Sequence, residues 1–143
     1  MHPQFRVLQF VWLILGLSQL ILLIPALWVY RKGLPVQEAG GQGLVIFCIL
    51  FLALAAAVPF FWYRNRVRQI QANWEDERKI THYRAPLYFG WVLCEGANMV
   101  TLIAFMITRN DTFLWLFAVG FALYYFQKPN WSLFRRDYQV ASV

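Results

Sequence analysis

Long, uninterrupted apolar runs constrain this chain more than any other feature. Four of them, at 7–30, 43–63, 85–108 and 112–127, occupy most of its 143 residues. The segments between them are too short to bury a core of their own. A helix needs roughly 20 apolar residues to cross a hydrocarbon layer about 30 Å thick, and the first three runs meet that requirement. Inside lipid, only helices and closed barrels satisfy every backbone group. The runs are continuous rather than alternating, so helices are expected. The fourth run reaches about 24 Å if fully helical. It is expected to span as well, with Arg109 and Lys128 snorkelling to the headgroups. Asp111 and Thr112 stand where they can cap its start, and Lys128-Pro129 where the helix must stop. Pro25 and Pro59, near the ends of their runs, are expected to kink or terminate them. The expected fold is all-α: a polytopic membrane protein, four transmembrane helices in a small bundle, forming one domain over 1–143.

Composition agrees. Only 14% of the residues are charged, against about 25% in an ordinary soluble domain, and a disordered chain is excluded by the 60% that are hydrophobic. The first run follows Arg6, as a signal peptide's apolar stretch follows its basic start. It is much longer than the usual ~7–15 residues, and no small-x-small site precedes Arg31. An uncleaved span is therefore expected.

The 13 basic residues divide unevenly among the connecting segments. Arg6 precedes the first run. Arg64, Arg66, Arg68, Arg78, Lys79 and Arg84 lie in the 64–84 loop, and Lys128, Arg135 and Arg136 follow the last run. Only Arg31, Lys32 and Arg109 fall on the other side. By the positive-inside rule both termini and the 64–84 loop are cytoplasmic. Helical spans with this bias point to an inner (plasma) membrane rather than a barrel-bearing outer one. Trp28, Tyr30 and Trp115 on one side, and Trp62, Tyr63, Tyr83, Tyr124 and Tyr125 on the other, suit the two interfaces.

The 31–42 link is rich in glycine, but its glycines follow a helix rather than a strand and so do not resemble a phosphate-cradling loop. In the 64–84 loop, Val67, Ile70 and Trp74 share one helical face, and Glu75 and Lys79 stand four apart in the favourable order. The loop reads either as a solvated hairpin tip or as a docking site for a partner or anionic headgroups on Arg64, Arg66 and Arg68. In 130–138, Trp131, Phe134 and Tyr138 share a face beside Arg135 and Arg136, as in a short interfacial helix on the inner leaflet. Nucleic-acid binding is not expected, because topology already accounts for the basic residues.

Of the seven acids, only Glu95 lies within a run. It sits about ten residues, or ~15 Å, from the inner end. An intramembrane acid usually faces other helices and is either paired or functional. No Lys, Arg or His lies at that depth, so a neutral, hydrogen-bonded carboxyl is expected. A helical projection of the third run separates two faces. Gly90, Cys94, Ala97 and Ala104 join Asn98 and Thr101 on a small, polar side suited to close helix packing. Phe89, Val92, Met99, Val100, Ile103 and Ile107 fill the other side. In the first run, Gln9, Trp12, Gly16, Gln19, Leu23 and Ala26 form a matching stripe. Gln19 is the expected partner of Glu95, with Asn98 as the alternative. In the second run, Ala53, Ala55, Ala56 and Ala57 offer another close-packing surface. The cluster of Glu95, Asn98, Gln19 and Thr101 has three readings: helix-pairing glue, a proton or cation site, or contact with a partner, lipid or quinone. The last would use a pocket lined by Trp12, Trp91 and Glu95.

No catalytic group, metal site or cofactor is expected. His2 and His82 lie outside the runs, which does not suit haem. Ser18 and Ser132 lack a neighbouring His and acid. Cys48 and Cys94 differ in depth and are expected to be unpaired.

Two resemblances follow from these residues. The stretch 79–137, with KITHYR, WVLCEGANMVTLIAFMITRNDT and KPNWSLFRRDY, together with LGLSQLIL in the first run, resembles a group of small uncharacterised bacterial membrane proteins. That resemblance implies four helices with a mid-membrane Glu in the third, and no particular activity. Glu95-Gly96-Ala97 followed by Leu102-Ile103-Ala104-Phe105 is similar to the ion-carrying helix of the rotary ATPase proteolipid. It implies that Glu95 carries a proton or sodium ion. The 43–63 run differs from that family, having alanines where the family repeats glycines. The expected function is a small non-enzymatic subunit of a larger or homo-oligomeric membrane complex. The alternatives are proton or cation handling by Glu95, and quinone or lipid binding.

Overall fold

The computed structural model describes residues 3–32, 41–71 and 73–138. They form five helices: α1 Pro3–Arg31, α2 Gly41–Arg68, α3 Asp76–Thr108, α4 Thr112–Phe126 and α5 Trp131–Tyr138. No strand occurs among the described residues. Three helices, α1 to α3, are long and apolar enough to cross a membrane. α4 is apolar but has only 15 residues. Most of the 31–42 link lies outside the described residues.

α3 packs against α1, α2 and α4. Its sequence explains why. Gly90, Cys94, Ala97, Asn98, Thr101 and Ala104 are all buried, whereas Phe89, Val92, Met99, Ile103 and Ile107 are exposed. Small side chains let neighbouring backbones approach closely, which is what favours helix contact in lipid. α2 contributes Ala55 and Pro59 to the contact. Ala56 and Ala57 are half-buried, but Ala53 faces outward.

Several local expectations change. The 64–84 loop contracts to a turn at 69–75, because α2 continues to Arg68 and α3 already begins at Asp76. The 33 residues of α3 extend about 50 Å, well beyond a ~30 Å layer. Ile70 and Trp74 therefore sit in the turn and not on a helix face. Lys79 lies 4.0 Å from Asp76 instead of pairing with Glu75. Pro25, Pro59 and Pro86 lie inside helices that continue past them, since one lost backbone bond is tolerated when the flanking turns stay bonded; neighbours pack around Pro59 and Pro86, whereas Pro25 is exposed. The α4 start is capped by Asn110, whose Oδ1 accepts from Thr112 N at 3.0 Å, and Asp111 makes no side-chain cap. Asn130 caps α5 in the same way, accepting from Ser132 N at 3.0 Å.

Arg109 takes a structural role. It closes α3 in the left-handed conformation, at φ 57°. Its guanidinium donates to Val29 O at 3.0 Å and to Met106 O at 3.2 Å. Both carbonyls belong to last turns, where no intrahelical donor exists. One side chain thus ties the ends of α1 and α3.

At the opposite end, the aromatic face of α5 turns inward. Phe134 and Tyr138 are buried against Phe5 and Tyr83, with ring centroids 4.8–6.0 Å apart. The face expected to lie on headgroups is covered by protein. Tyr63 donates to Asp137 at 2.7 Å, and Gln4 donates to Glu77 at 2.8 Å. His82 contacts the rings of Trp74 and Tyr138 edge-on, and its Nδ1 lies 3.4 Å from the Tyr138 hydroxyl.

Burial first, and then the charges of Arg66 and Arg78, push the His82 pKa below its ordinary value. In the unfolded chain His82 regains that value, near 6.5. Above it the ring is neutral in both states and its packing contributes fully. As pH falls below about 6.5 the unfolded chain takes up the proton first, and stability declines. The thermal-unfolding midpoint, followed by tryptophan fluorescence, should therefore fall between about pH 7.5 and 5. His82→Phe should flatten that slope. A midpoint that rises on acidification would show that the sign is wrong.

Candidate functional site

The polar residues of the apolar interior meet at the α1–α3–α4 contact. Asn98, one turn beyond Glu95 on α3, is 1% exposed, and so is Gln19 of α1. Asn98 Nδ2 donates to Gln19 Oε1 at 2.6 Å. Each amide uses only part of its capacity: Gln19 Nε2 and Asn98 Oδ1 are buried without a partner. Gly120 of α4 explains how an amide fits here. A Cβ at Gly120 would collide with Asn98 Oδ1 and come within 2.7 Å of Leu52. Only a glycine lets α4 pass so close. Thr101 is fully buried, but its hydroxyl donates to the Asn98 carbonyl at 2.8 Å. It supports α3 itself and makes no bond to α1.

Glu95 has a different partner from the one expected. Its Oε1 lies 2.9 Å from Ser18 Oγ, while Gln19 is taken by Asn98. The cause is geometric. Ser18 and Gln19 are adjacent on α1, so they point about 100° apart and reach separate positions on α3. Ser18 Oγ also lies 2.7 Å from Leu15 O, a turn earlier. A serine hydroxyl has one proton to donate, and here two acceptors compete for it. Glu95 is half-buried, at the edge of the packing face.

Two further groups were not singled out from the sequence. Tyr124, expected at the interface, is buried at 1% exposure. It stacks on Trp12 with rings 2° from parallel at 5.7 Å, and donates its hydroxyl to the Trp12 carbonyl. Gly16 makes room for the ring: a Cβ there would lie 3.2 Å from Tyr124 Cε1. Gln127 ends α4, and its Nε2 lies 3.1 Å from Cys94 Sγ. Its carbonyl accepts from Trp91 Nε1 at 3.2 Å. Trp12 and Trp91 are thus both engaged with α4 and the residue that caps it. Ser18 lies with Val11, Leu15 and Leu22 on a stripe beside the one marked by Gln19. A small hydroxyl on an apolar stripe gives little periodic signal. Tyr124 was detectable only through its one-turn spacing from Gly120.

The five arginines expected to contact headgroups or a partner are not equivalent. Arg64 and Arg68 are exposed and Arg135 is half-buried. Arg66 stacks over Trp62 at 5.5 Å, and Arg136 Nε lies 3.0 Å from Asp137 Oδ1. Cys48 and Cys94 are free and buried. Among the described residues no group of three or more His, Cys, Asp or Glu is placed to hold a metal.

The chain matches no protein-family model, no curated protein and no solved structure.

Gln19→Ala and Asn98→Ala are expected to be non-additive in reversible unfolding from detergent micelles. The coupling energy should be about 0.6 kcal/mol and no more than about 1.7 kcal/mol, the span found for interhelical polar pairs in membranes. Strict additivity would mean that the bond contributes nothing.

Proposed function

We propose that the chain is a four-span integral membrane protein with both termini cytoplasmic, acting without catalysis as a subunit of a larger or homo-oligomeric membrane complex. The observation that carries this reading is how the interior polar groups are used. Gln19 is bonded to Asn98, Ser18 faces Glu95, and Thr101 is bonded to its own helix. The first two contacts join α1 to α3 and give the cluster the character of helix-pairing glue. The fourth span is supported by α4 itself. Phe113 packs with Ala26, Cys48 and Phe105 at one end of it, and Gln127 meets Trp91 and Cys94 at the other. Placing Arg64 and Arg68 on the same side as α5 follows the positive-inside rule. The outward faces of α1 and α2 present Phe10, Ile21, Ile24, Phe47 and Phe61, and face lipid or the partner subunits.

A second reading has one observation in its favour. Ser18 has two acceptors and one proton, so a proton on Glu95 would complete the hydrogen bonding of both groups. That is a suitable arrangement for a carboxyl that takes up and releases a proton.

One substitution separates the two. Glu95→Gln keeps an amide donor towards Ser18 and removes titration. On the subunit reading the variant inserts, co-purifies with the same partners as wild type, and supports their function nearly unchanged. On the proton-handling reading it assembles but is inactive, and wild-type Glu95 reacts with a hydrophobic carbodiimide in a pH-dependent way. Normal assembly with complete loss of function would sink the subunit proposal.

A further inference from the structure

Between α2, α3, α4 and α5 lies an apolar cleft of about 360 Å³, walled by Ala56, Pro59, Leu87 and Leu123 among others. Its volume falls within the ~300–1,000 Å³ of small-molecule sites. Phe126, 82% exposed, and Leu133, 38% exposed, stand at its mouth. The cleft therefore opens sideways past apolar side chains, toward the medium that surrounds the helices. Beside it, at the start of α5, is a more polar hollow bordered by Gln9, Asn130 and Ser132. The two spaces share Phe126, Lys128 and Leu133. The two lie side by side, one mainly apolar and one more polar, with Lys128 lining both.

Lys128 is exposed, and the contact its ammonium makes is with the Trp12 ring, 5.6 Å from the centroid. Among the described residues it forms no ion pair with a carboxylate. Arg135 and Arg136 on α5 keep this end of the protein basic. An ammonium at the boundary between an apolar slot and a polar hollow matches an amphiphile whose negative charge sits where its chain ends. A zwitterionic headgroup fits less well, because it would bring a second cation toward Lys128 and the α5 arginines.

We propose that these two adjoining spaces hold one anionic phospholipid, with an acyl chain in the apolar cleft and its phosphate on Lys128. The inference rests on the membrane-embedded reading above but not on the subunit role. The bound lipid fills the gap between α5 and the spans, so that the amphipathic helix is seated partly on lipid and partly on Phe5 and Tyr83.

The test uses the full chain reconstituted into bilayers of equal phosphatidylglycerol and phosphatidylcholine, re-extracted in mild detergent, with retained lipid counted by native mass spectrometry. Wild type is expected to keep one phosphatidylglycerol in preference to phosphatidylcholine. Lys128→Gln should lower that preference about fivefold, the factor one lysine near an anionic surface supplies. Arg31→Gln, an exposed change at the opposite end of the protein from the cleft, should leave it intact. Ala56→Trp fills the cleft and should abolish retention of both lipids. Leu133→Glu, at a partly exposed position at the cleft, should repel the anionic lipid. Equal retention of the two lipids by wild type would overturn the proposal, as would an unchanged ratio in Lys128→Gln. Alkaline carbonate extraction separates this failure from a deeper one. A chain stripped from membranes by carbonate defeats the membrane reading itself. A carbonate-resistant chain without lipid preference defeats only this inference.

Discussion

A helix that is apolar on every side gains nothing by exchanging lipid for another apolar helix. That constraint governs how the three long apolar helices, α1 to α3, can be held together in a membrane. What remains is close packing and hydrogen bonding, and both converge on one face of α3. Gly90, Cys94, Ala97 and Ala104 bring backbones near, and Asn98 supplies the bond to Gln19. Gly120 then brings α4 against the same amide. Asn98 is therefore where three helices are registered at once. An isosteric apolar residue would fill its space, but would remove the bond that sets α1 against α3 at this depth.

The ends of the helices follow different physics. Where α2 and α3 extend beyond a ~30 Å layer, water returns and apolar burial is again favourable. There the chain uses large aromatics where the interior used small residues, stacking Phe5, Tyr83, Phe134 and Tyr138 into one buried group. At the far end, the Arg109 guanidinium binds free carbonyls of α1 and α3. α1, whose membrane-crossing part is the least covered of the three, is thus held at three levels: Gln4 to Glu77, Ser18 and Gln19 to α3, and Val29 to Arg109.

The helices were legible in the sequence because continuous apolarity leaves the backbone one option. The packing face of α3 was legible for a similar reason: side-chain size, read at helical spacing, separates the contact side from the other. Hydrogen-bond partners were not. Gln19 and Ser18 are neighbours in sequence but differ in direction by about 100°, and a projection of each helix alone does not fix their mutual rotation. The caps were missed at the level of one residue, since Asn110 and Asp111 are both competent and only backbone geometry chooses between them. The α5 face was read correctly as a stripe, but amphipathicity does not say whether lipid or protein covers it. That depended on Phe5 and Tyr83, more than forty residues distant in the chain.

Ser18 and Gln19 precede their partners Glu95 and Asn98 by more than seventy residues. During synthesis α1 leaves the ribosome well before α3 exists. Its hydroxyl and amide must then enter the bilayer without the groups that later satisfy them. The hydroxyl can bond back to Leu15, as it does in the finished protein, but the amide has no such local recourse. The isoleucines, leucines and valine on the outer side of α1, which stay exposed in the folded chain, offset that early deficit. Residues that only face outward in the final structure thereby serve the first insertion, and the order of translation bears on a composition that packing within the chain alone does not require.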